Sequence, residues 1–576
     1  MFMSLLLSLT SILSPVAANR CPWGPPAPPA SPWWWPTPPT SPWWWPTPPS
    51  RRRPTPPPPP PKLSSRNFYR CLNEHSPISF STVYAPDIDR AAFDRQLSST
   101  AQNLRCLVPS VPKPLLIFAP NDESHVSAAV NCSHRLGANL RVRSGGHDYE
   151  GLSYVSLMKK PFIILDLQNL RDFTYEPRTQ TAWVQAGVTT GEFYYRVANA
   201  TGGAYGFPAG LCMSLGIGGH ITGGAYGALM RKFGLGIDSA IDARIVMADG
   251  TVVASVAHSD PDLFWALKGG GGGNFGIILA WRLKLVQVPG KVTGITAARV
   301  LDNNGIKTLD KWQKKAYRID RNLFIRVLIQ RSGPNGPVLA IYNGIFLGTV
   351  DKLVSNMMKS LPELKLNGST ECREMSWIES MVYIGGYANG KPIDLLDRKP
   401  AFLNSFKAKS DFTRGLITMK GLEALRDLHN TGDFSLLTIM NPLGGRVAEV
   451  EEYETAYVHR GAAYMIQYVT TTLNTSLETT AKIHEFMTKV YDTMTSYIPT
   501  SDGTRESYVN YKDLDLGLTD FCPSNCSCPE SWGHAYYKRN FERLVMVKTR
   551  VDPYNFFLFE QSIPSWYNQG ECLKFS

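Results

Sequence analysis

Short apolar runs alternate with turns and one amphipathic segment between residue 113 and about residue 287. The runs PLLIFAP, LRVRSGG, FIILDLQ, TAWVQAG and ARIVMADGTVV have the length and apolar content of β-strands, and turn signals such as Asp-Gly follow them. The segment DESHVSAAVNCSHRLG has helical spacing, with Asp122 or Ser124 as its candidate N-cap and Gly137 at its end. The pattern predicts a mixed α/β first domain over residues 63–287.

The pattern changes from residue 288 onward. Two amphipathic segments, GIKTLDKWQKKAYRI and LETTAKIHEFMTKVYDTMTSYI, alternate with the strand-like runs FIRVLIQ, YNGIFLG and MIQYVTT. This predicts an α+β second domain over residues 288–505. The remaining segment, 506–576, is aromatic and basic, and we expect it to return to the first domain.

The N-terminal region has a different composition. Residues 4–17 are an apolar run followed by small residues, which predicts a secretory signal peptide over residues 1–19. No later segment has about 18 uninterrupted apolar residues, so no transmembrane segment is predicted. Residues 20–62 are rich in proline and repeat SPWWWPTPP, which predicts an extended polyproline-II arm. The arm either presents aromatic faces to a cell-wall polysaccharide or partner, or is a repeat expansion without a role.

Composition and charge limit the classes of partner. The chain has 576 residues, of which 43% are hydrophobic and 19% charged, as in a folded protein too long for one ordinary core. The formal net charge is +11, yet no basic stripe is interleaved with aromatic residues, so we expect no nucleic-acid binding. A mildly cationic protein of this kind suits an acidic polysaccharide matrix in the cell wall.

Secretion carries expectations about covalent modification. N-glycosylation sequons occur at Asn131, Asn199, Asn367, Asn474 and Asn525. The ten cysteines permit disulfides, which in a chain of this length are accessories to the core. In the cluster FCPSNCSC we favour disulfides over zinc, because no histidine stands within it at zinc-site spacing. We therefore predict no metal site.

Two glycine-rich segments contain the side chains best suited to chemistry. RSGGHDYEG contains His147, and GLCMSLGIGGHITGGAYG contains Cys212. Because glycine lets the backbone approach a ligand closely, a histidine and a cysteine held there suggest a covalently attached cofactor and hence a redox enzyme. Asp148 is placed to set the tautomer of His147, and His220 is a candidate to help deprotonate Cys212. A hydrogen-bonded loop histidine and a disulfide cysteine are the alternatives.

The glycine runs also indicate how a phosphorylated ligand is held. Backbone N–H groups in the run after Cys212 are suited to a diphosphate. A third cluster, KGGGGGNFG at 268–276, leads into an apolar strand and is interpreted as a ligand-facing turn. It is neither a Walker A sequence nor a glycine fingerprint after a first strand, which argues against binding of a nucleoside triphosphate or NAD.

These segments together resemble the berberine-bridge-enzyme-like family of plant flavoproteins, within the FAD-linked oxidases of the vanillyl-alcohol-oxidase or PCMH type. The motifs that carry the resemblance span residues 68–565: RSGGHDYEG, the cysteine-containing GGH run, ALKGGGGGNFG, FKAKSDF, HRG…IQY, YVNYKDLDLG, WGHAYYKRNF and DPYNFF…EQSIP. The resemblance implies an α+β fold: a two-subdomain PCMH-type FAD-binding domain, a substrate domain with a large antiparallel sheet, and a C-terminal segment returning to the FAD domain.

The resemblance also implies how the cofactor is attached. FAD would be bonded through the 8α-methyl group to His147 and through C6 to Cys212, with His220 assisting, and Cys71 would pair with Cys132. The matching cofactor-binding positions are Arg143, Ser144, Gly145, Gly146, Asp148, Gly216, Gly218, Gly219, Gly223, Gly227, Asn274, Phe275, Gly276 and Asn510.

The implied reaction is hydride transfer from an alcohol carbon to flavin N5. By resemblance Tyr511 is the base, with Tyr226 and Gln467 in the same pocket. Because tyrosine titrates near 10, it needs help to act near neutrality. The family lysine that helps is replaced by Met465, so either another cation takes its place or the base is weak. Leu215, at the position of the family oxygen gate, favours a dehydrogenase that uses an acceptor other than O₂.

The expected substrates are monolignol-type aromatic alcohols or carbohydrates. Oxidative cyclisation of an alkaloid or cannabinoid-like phenol is the alternative within enzymes. A wall-associated binding protein with an idle flavin site is the alternative outside them.

Overall fold

The computed structural model describes residues 62–158, 160–387, 389–400, 402–431, 434–500, 503–519 and 528–566. The predicted signal peptide, the proline-rich arm, the sequon at Asn525 and most of the cluster FCPSNCSC lie outside these residues.

Helices and strands alternate along the described chain. The helices are α1 (Ser65–His75), α2 (Arg90–Ser98), α3 (Glu123–Leu136), α4 (Thr190–Thr201), α5 (Ile217–Thr222), α6 (Met230–Phe233), α7 (Val256–Ser259), α8 (Pro261–Leu267), α9 (Asn303–Lys315), α10 (Val350–Ser360), α11 (Trp377–Ile384), α12 (Met419–Thr431), α13 (Leu477–Thr495), α14 (Cys528–Tyr537) and α15 (Asn540–Val551). The strands are β1 (Val83–Tyr84), β2 (Ile117–Phe118), β3 (Asn139–Arg143), β4 (Phe162–Asp166), β5 (Phe173–Glu176), β6 (Thr181–Gln185), β7 (Tyr205–Gly206), β8 (Ala240–Val246), β9 (Val252–Val253), β10 (Ile277–Lys284), β11 (Val286–Gln287), β12 (Val292–Val300), β13 (Leu323–Arg331), β14 (Val338–Phe346), β15 (Cys372–Met375), β16 (Ser405–Thr413), β17 (Ser435–Pro442) and β18 (Tyr464–Thr472).

Two of the larger sheets among the described residues are built before residue 287. One has the order β1-β2-β4-β3, with β4 parallel to both β2 and β3, and the other is antiparallel with the order β5-β6-β10-β8-β9. Helix α3 crosses between β2 and β3, as parallel pairing requires. Its N-cap is Asp122 and it ends at Gly137 with φ +66°, which confirms the predicted helix.

The third large sheet lies between residues 292 and 472. It is antiparallel, in the order β15-β12-β14-β13-β17-β18-β16. Buried apolar residues of α9, α10, α12 and α13 pack on one face, against the alternate strand residues Ile325, Val327 and Ile329. Because side chains alternate across a strand, Arg326 points to the opposite face. That face borders the cavity described below.

The C-terminal segment packs on the first part of the chain. Glu560 pairs with the buried Arg141 of β3 at 2.8 Å, and Lys548 of α15 donates to the carbonyl of Asn274 at 2.6 Å. These contacts confirm the predicted return, and the architecture as a whole is the α+β fold that the resemblance implied.

The covalent predictions have different outcomes. Cys71 and Cys132 form a disulfide between α1 and α3, which is the pair that the resemblance implied. The described sequons at Asn199, Asn367 and Asn474 are exposed, whereas Asn131 is half-buried. Within the described part of the chain, no helix combines the length and apolar character needed to span a membrane.

Candidate active site

One cavity of about 470 Å³ lies between the glycine-rich turns of the first part of the chain and the open face of the seven-stranded sheet. The predicted site residues that line it are Ser144, Gly145, Gly146, His147, Asp148, Cys212, Leu215, Gly216, Gly218, Gly219, His220, Tyr226, Gly276, Gln467, Asn510 and Tyr511. Predicted site residues that are far apart in sequence therefore line the same cavity.

The two glycine-rich turns cross backbone against backbone. A Cβ atom on Gly145 would lie 2.2 Å from the Gly216 nitrogen, and one on Gly216 would lie 2.2 Å from the Gly145 nitrogen. No side chain fits in either place, so glycine is required at both positions by close approach. The crossing brings the loop of His147 next to the loop of Cys212.

A hydrogen bond between the two loops orients His147. Its Nε2 lies 2.8 Å from the Ser214 hydroxyl, and the Ser214 backbone also acts on the ring as a hydrogen-bond partner. Burial, with a smaller contribution from nearby His220, lowers the pKa of His147 to about 3. The imidazole is therefore neutral near pH 7, so one of its two ring nitrogens carries a lone pair. The expectation that Asp148 sets its tautomer is not met, because Ser214 is the partner.

Cys212 and His220 are the predicted thiol and the candidate base that would deprotonate it. Cys212 is a free cysteine that lines the cavity, where desolvation raises the pKa of its thiol. The Nε2 of His220 accepts a hydrogen bond from the Gly210 N–H at 2.8 Å. This lone pair is therefore committed to the backbone, and burial lowers the pKa of His220 to about 4. His220 therefore supports the turn before Cys212 in the structure, and its help in deprotonating the thiol stays a prediction.

Several predicted cofactor-binding residues do not line the cavity. Arg143 is fully buried and pairs with Asp166, at 2.6 Å from its Nη2. Asn274 donates to the Gly270 carbonyl and accepts from the Ile563 N–H, so its amide ties the third glycine cluster to the C-terminal segment. The other three, Phe275, Gly223 and Gly227, pack against protein atoms. These residues support the site from behind.

The glycine turns leave room for a ligand. A Cβ atom on Gly219 would meet no atom of the described residues within 4 Å, and one on Gly272 would lie 3.3 Å from Thr222 Oγ1 and 3.6 Å from Gly219 Cα. Protein packing alone therefore does not require glycine at position 219. The space and the glycine-rich backbone suit the diphosphate of a dinucleotide. Together with His147 and Cys212, these residues fit a flavin dinucleotide.

Three tyrosines form the polar centre of the cavity. The hydroxyl groups of Tyr226 and Tyr511 are hydrogen-bonded to each other. The ring of Tyr149 stacks on that of Tyr511, with centroids 5.0 Å apart and planes 12° apart, and its hydroxyl accepts from Gln467 at 2.6 Å. Burial raises the pKa of Tyr226 to about 12 and raises that of Tyr511 well above its usual value. A tyrosine base here needs a nearby positive charge.

Arg326 is a positive charge at this centre that sequence reasoning missed. It lines the cavity, and its charge acts on Tyr226, Tyr511 and Cys212. Its Nε donates to Asn343 Oδ1 at 3.0 Å, on the neighbouring strand β14. Met465, by contrast, is 1% exposed and does not line the cavity. The missed signal was a lone arginine inside the apolar run FIRVLIQ.

The wall beside Tyr149 is apolar. Phe406 meets the Tyr149 ring edge to face, with centroids 5.4 Å apart. The other members of this cluster are Phe402, Ala408, Leu437 and Val469. Of the residues that line the cavity, Asp148 is the one carboxylate, and its Oδ1 already accepts from two backbone N–H groups. The cavity thus combines a polar tyrosine centre with an aromatic and aliphatic wall.

Comparisons with known proteins agree with this geometry. The family model described as FAD binding domain matches residues 114–255, and the one described as berberine and berberine like matches residues 507–564. Monolignol oxidoreductase AtBBE-like 13 of Arabidopsis thaliana is 47% identical over 510 residues, covering 87% of this chain and 93% of the relative. Tetrahydroberberine oxidase of Berberis wilsoniae is 42% identical over 512 residues, covering 86% and 93%. The solved structure of Phl p 4, a grass pollen allergen with glucose dehydrogenase activity, aligns with a TM-score of 0.80 at 34% identity, covering 86% of this chain and 99% of that one.

Proposed function

The chain belongs to the berberine bridge enzyme-like family of FAD-dependent oxidoreductases, and we propose that it oxidises the hydroxyl group of a small aromatic alcohol. The observation that carries the proposal is the single cavity in which His147 and Cys212 meet a hydrogen-bonded tyrosine pair and Arg326. The first two residues serve the cofactor, and the others serve the substrate.

We propose that FAD is attached through both His147 and Cys212. The Ser214 hydroxyl engages Nε2 of His147, so Nδ1 is the nitrogen that would bond the flavin 8α-methyl group. Cys212 would bond C6 through its sulfur. Two bonds from two crossed loops would keep the flavin in place while one side of the cavity stays open to substrate. The bound flavin supplies the acceptor for two electrons and one proton, transferred as hydride.

The proton of the substrate hydroxyl goes to Tyr511 in this proposal. Once deprotonated, the Tyr511 oxygen can only accept, so the Tyr226 hydroxyl hydrogen-bonded to it would be the donor, and Arg326 would supply the opposing positive charge. Arg326 would therefore replace the family lysine whose position holds Met465. Asn343 holds the guanidinium from behind, and its own amide donates to Thr296 at 3.2 Å. The substrate carbon loses hydride and its oxygen loses a proton, which yields an aldehyde.

The cavity wall favours an aromatic alcohol over a carbohydrate. A sugar carries a hydroxyl group on most carbons and would leave several unpaired against Phe406 and its neighbours, each at a cost of about 1–3 kcal/mol. An aromatic ring instead buries apolar surface and stacks with Tyr149. The relative AtBBE-like 13, named a monolignol oxidoreductase, supports the same class.

The test begins with the cofactor. Purified wild type, His147→Ala, Cys212→Ala and the double variant are precipitated with acid, and flavin absorbance is measured in pellet and supernatant. We expect flavin in the pellet for wild type and both single variants, and in the supernatant for the double variant. Flavin released from wild type would contradict covalent attachment.

The substrate is tested with the intact enzyme. Cinnamyl-type alcohols, glucose and a tetrahydroberberine-type alkaloid are offered anaerobically, and flavin bleaching is followed at 450 nm. We expect bleaching with the aromatic alcohols and its loss in Tyr511→Phe. Bleaching by glucose or the alkaloid alone would assign the chain to another substrate class, and no bleaching by any substrate would favour a binding protein.

We also propose that the protein acts outside the cell, with O₂ or another acceptor reoxidising the flavin. The disulfide Cys71–Cys132 suits an oxidising compartment, and exposed sequons at Asn199, Asn367 and Asn474 are open to glycosylation. Endoglycosidase treatment followed by intact-mass measurement tests which of them carry glycans. The proposed role of residues 20–62 is wall binding, tested by comparing full-length and shortened protein on isolated cell walls.

A further inference from the structure

Lys512 is a buried cation at the cavity that no described residue pairs with. It follows Tyr511 in the chain, is 7% exposed, and lines the cavity. Among the described residues its ammonium is influenced by burial and by two carboxylate charges but by no hydrogen bond, although the group carries three N–H donors. The ammonium instead lies 5.4 Å from the ring centres of both Tyr536 and Phe559.

Two carboxylates act on Lys512 through their charge without a hydrogen bond to it. Asp148 and Glu560 are the carboxylates whose charge acts on Lys512. Asp148 Oδ1 accepts from the N–H groups of Glu150 and Leu152, both at 3.0 Å. Glu560 accepts from Arg141, from the Ser156 hydroxyl and from a backbone N–H. Within the described part of the chain, neither carboxylate forms a hydrogen bond with the Lys512 ammonium, and both act on it only through their charge.

The other buried lysines of this region show the contrast. Lys407 contacts Glu150 at 2.6 Å and Asp513 at 2.8 Å, and Lys409 contacts Asp513 at 2.8 Å. A buried ammonium is costly unless it is paired and hydrogen-bonded, and the ordinary solution is a carboxylate in contact. Lys512 has no such carboxylate in contact among the described residues. Burial lowers its pKa to about 8, which still leaves it cationic near neutrality.

We infer that Lys512 binds an anionic oxygen of the flavin dinucleotide. The inference rests on the cofactor in the proposed function and is independent of the alcohol. Two parts of the cofactor offer this chemistry: the diphosphate, which is always charged, and the N1–C2=O edge of the flavin ring, which becomes negative when the flavin has accepted a hydride. Lys512 thus belongs to the cofactor site, and the rings of Tyr536 and Phe559 shield its charge from solvent.

The experiment measures the cofactor without turnover. Lys512→Met removes the charge at similar length, and Lys512→Arg keeps it. The flavin midpoint potential of each holoenzyme is measured by equilibration with a reference dye. The dissociation constant for added FAD is measured by fluorescence in the His147→Ala/Cys212→Ala background with each Lys512 variant. A lysine that met the flavin edge would shift the redox equilibrium at least tenfold toward oxidised flavin in Lys512→Met, equal to about 30 mV for a two-electron couple.

The two measurements distinguish the diphosphate from the flavin edge as the group that Lys512 binds. A lower potential with an unchanged dissociation constant would assign Lys512 to the flavin edge, and at least tenfold weaker FAD binding with an unchanged potential would assign it to the diphosphate. Lys512→Arg should retain most of either property. If Lys512→Met changes neither, or if Lys512→Arg loses as much as Lys512→Met, the inference is wrong. Should Lys512→Met not fold, Lys512→Gln serves in the same two measurements. A preparation that contains no flavin would instead contradict the proposed function.

Discussion

Replacing Gly219 with alanine distinguishes space needed by the protein from space needed by the ligand. Gly219 lies inside α5 without a positive φ, and an added Cβ would meet no described atom within 4 Å. Alanine is favoured over glycine inside a helix by about 0.5–1 kcal/mol. We therefore expect the flavin-free Gly219→Ala protein to unfold at an unchanged or slightly higher urea concentration.

The flavin-bound state should respond in the opposite direction. If the dinucleotide lies against this turn, the new methyl group enters space that the ligand occupies. Overpacking of this size costs about 1–3 kcal/mol, which weakens binding roughly 5- to 150-fold. The assay is a fluorescence titration with FAD in the His147→Ala/Cys212→Ala background, with and without the Gly219→Ala change.

Gly290→Ala is the matched control. Gly290 is exposed, lies between β11 and β12, and also has open space where its Cβ would be. It should leave FAD binding unchanged. Equal dissociation constants for the two alanine variants would refute the assignment of the Gly219 turn to the cofactor. A large loss of stability in Gly219→Ala alone would show that the protein itself needs the glycine.

Three further predictions concern the base, the acceptor and the disulfide. Arg326→Met removes the positive charge near Tyr511, so the pKa of that tyrosine should rise further. Because the base acts in its deprotonated form, the rising limb of kcat/KM against pH should then move up by about one pH unit or more, which is about 1.4 kcal/mol. Leu215→Val should speed reoxidation of the reduced enzyme by air in stopped-flow absorbance, because a smaller side chain opens the cavity to O₂. Cys71→Ser opens the cross-link to Cys132, whose sequence separation is 61 residues, and should lower the free energy of unfolding by about 4 kcal/mol in the chain-entropy description.

Each of these has an outcome that contradicts it. An unchanged pH profile in Arg326→Met would place the proton acceptor beyond the influence of that charge. Fast reoxidation of wild type, with no further increase in Leu215→Val, would show that the Leu215 side chain does not limit access of O₂. A urea midpoint in Cys71→Ser equal to that of wild type would show that the loop is held by packing alone.

The residues of the cofactor site were predictable where local chemistry required them. His147 and Cys212 stand in glycine-rich turns, and the crossing of Gly145 over Gly216 explains why those turns contain glycine. The caps of α3 were equally local, because Asp122 and Gly137 act within one turn of the helix they bound. Such signals are readable in sequence because the physical cause and its effect are a few residues apart.

For other residues the folded structure showed hydrogen bonds that the sequence did not predict. Asn274 follows a glycine run and looked like a ligand-facing residue, yet its amide accepts from Ile563 in the C-terminal segment. His220 looked like a base for Cys212, yet its lone pair is taken by the Gly210 N–H. Hydrogen-bond partners across such distances depend on which backbone groups the fold leaves unpaired.

The sequence by itself determined the family, the fold class and the two residues proposed to hold the flavin, because each depends on short motifs with their own backbone requirements. Only the tertiary structure decided which cation faces the tyrosine pair. Arg326 reaches the cavity because antiparallel pairing of β13 with β14 and alternation along the strand turn its side chain to the open face of the sheet. Lys512 likewise became a candidate only when the structure placed it at the cavity, with no carboxylate of the described residues in hydrogen-bond contact with it. The electrostatic environment of a buried group depends on all the charged residues that the fold places near it, and these residues come from distant parts of the chain.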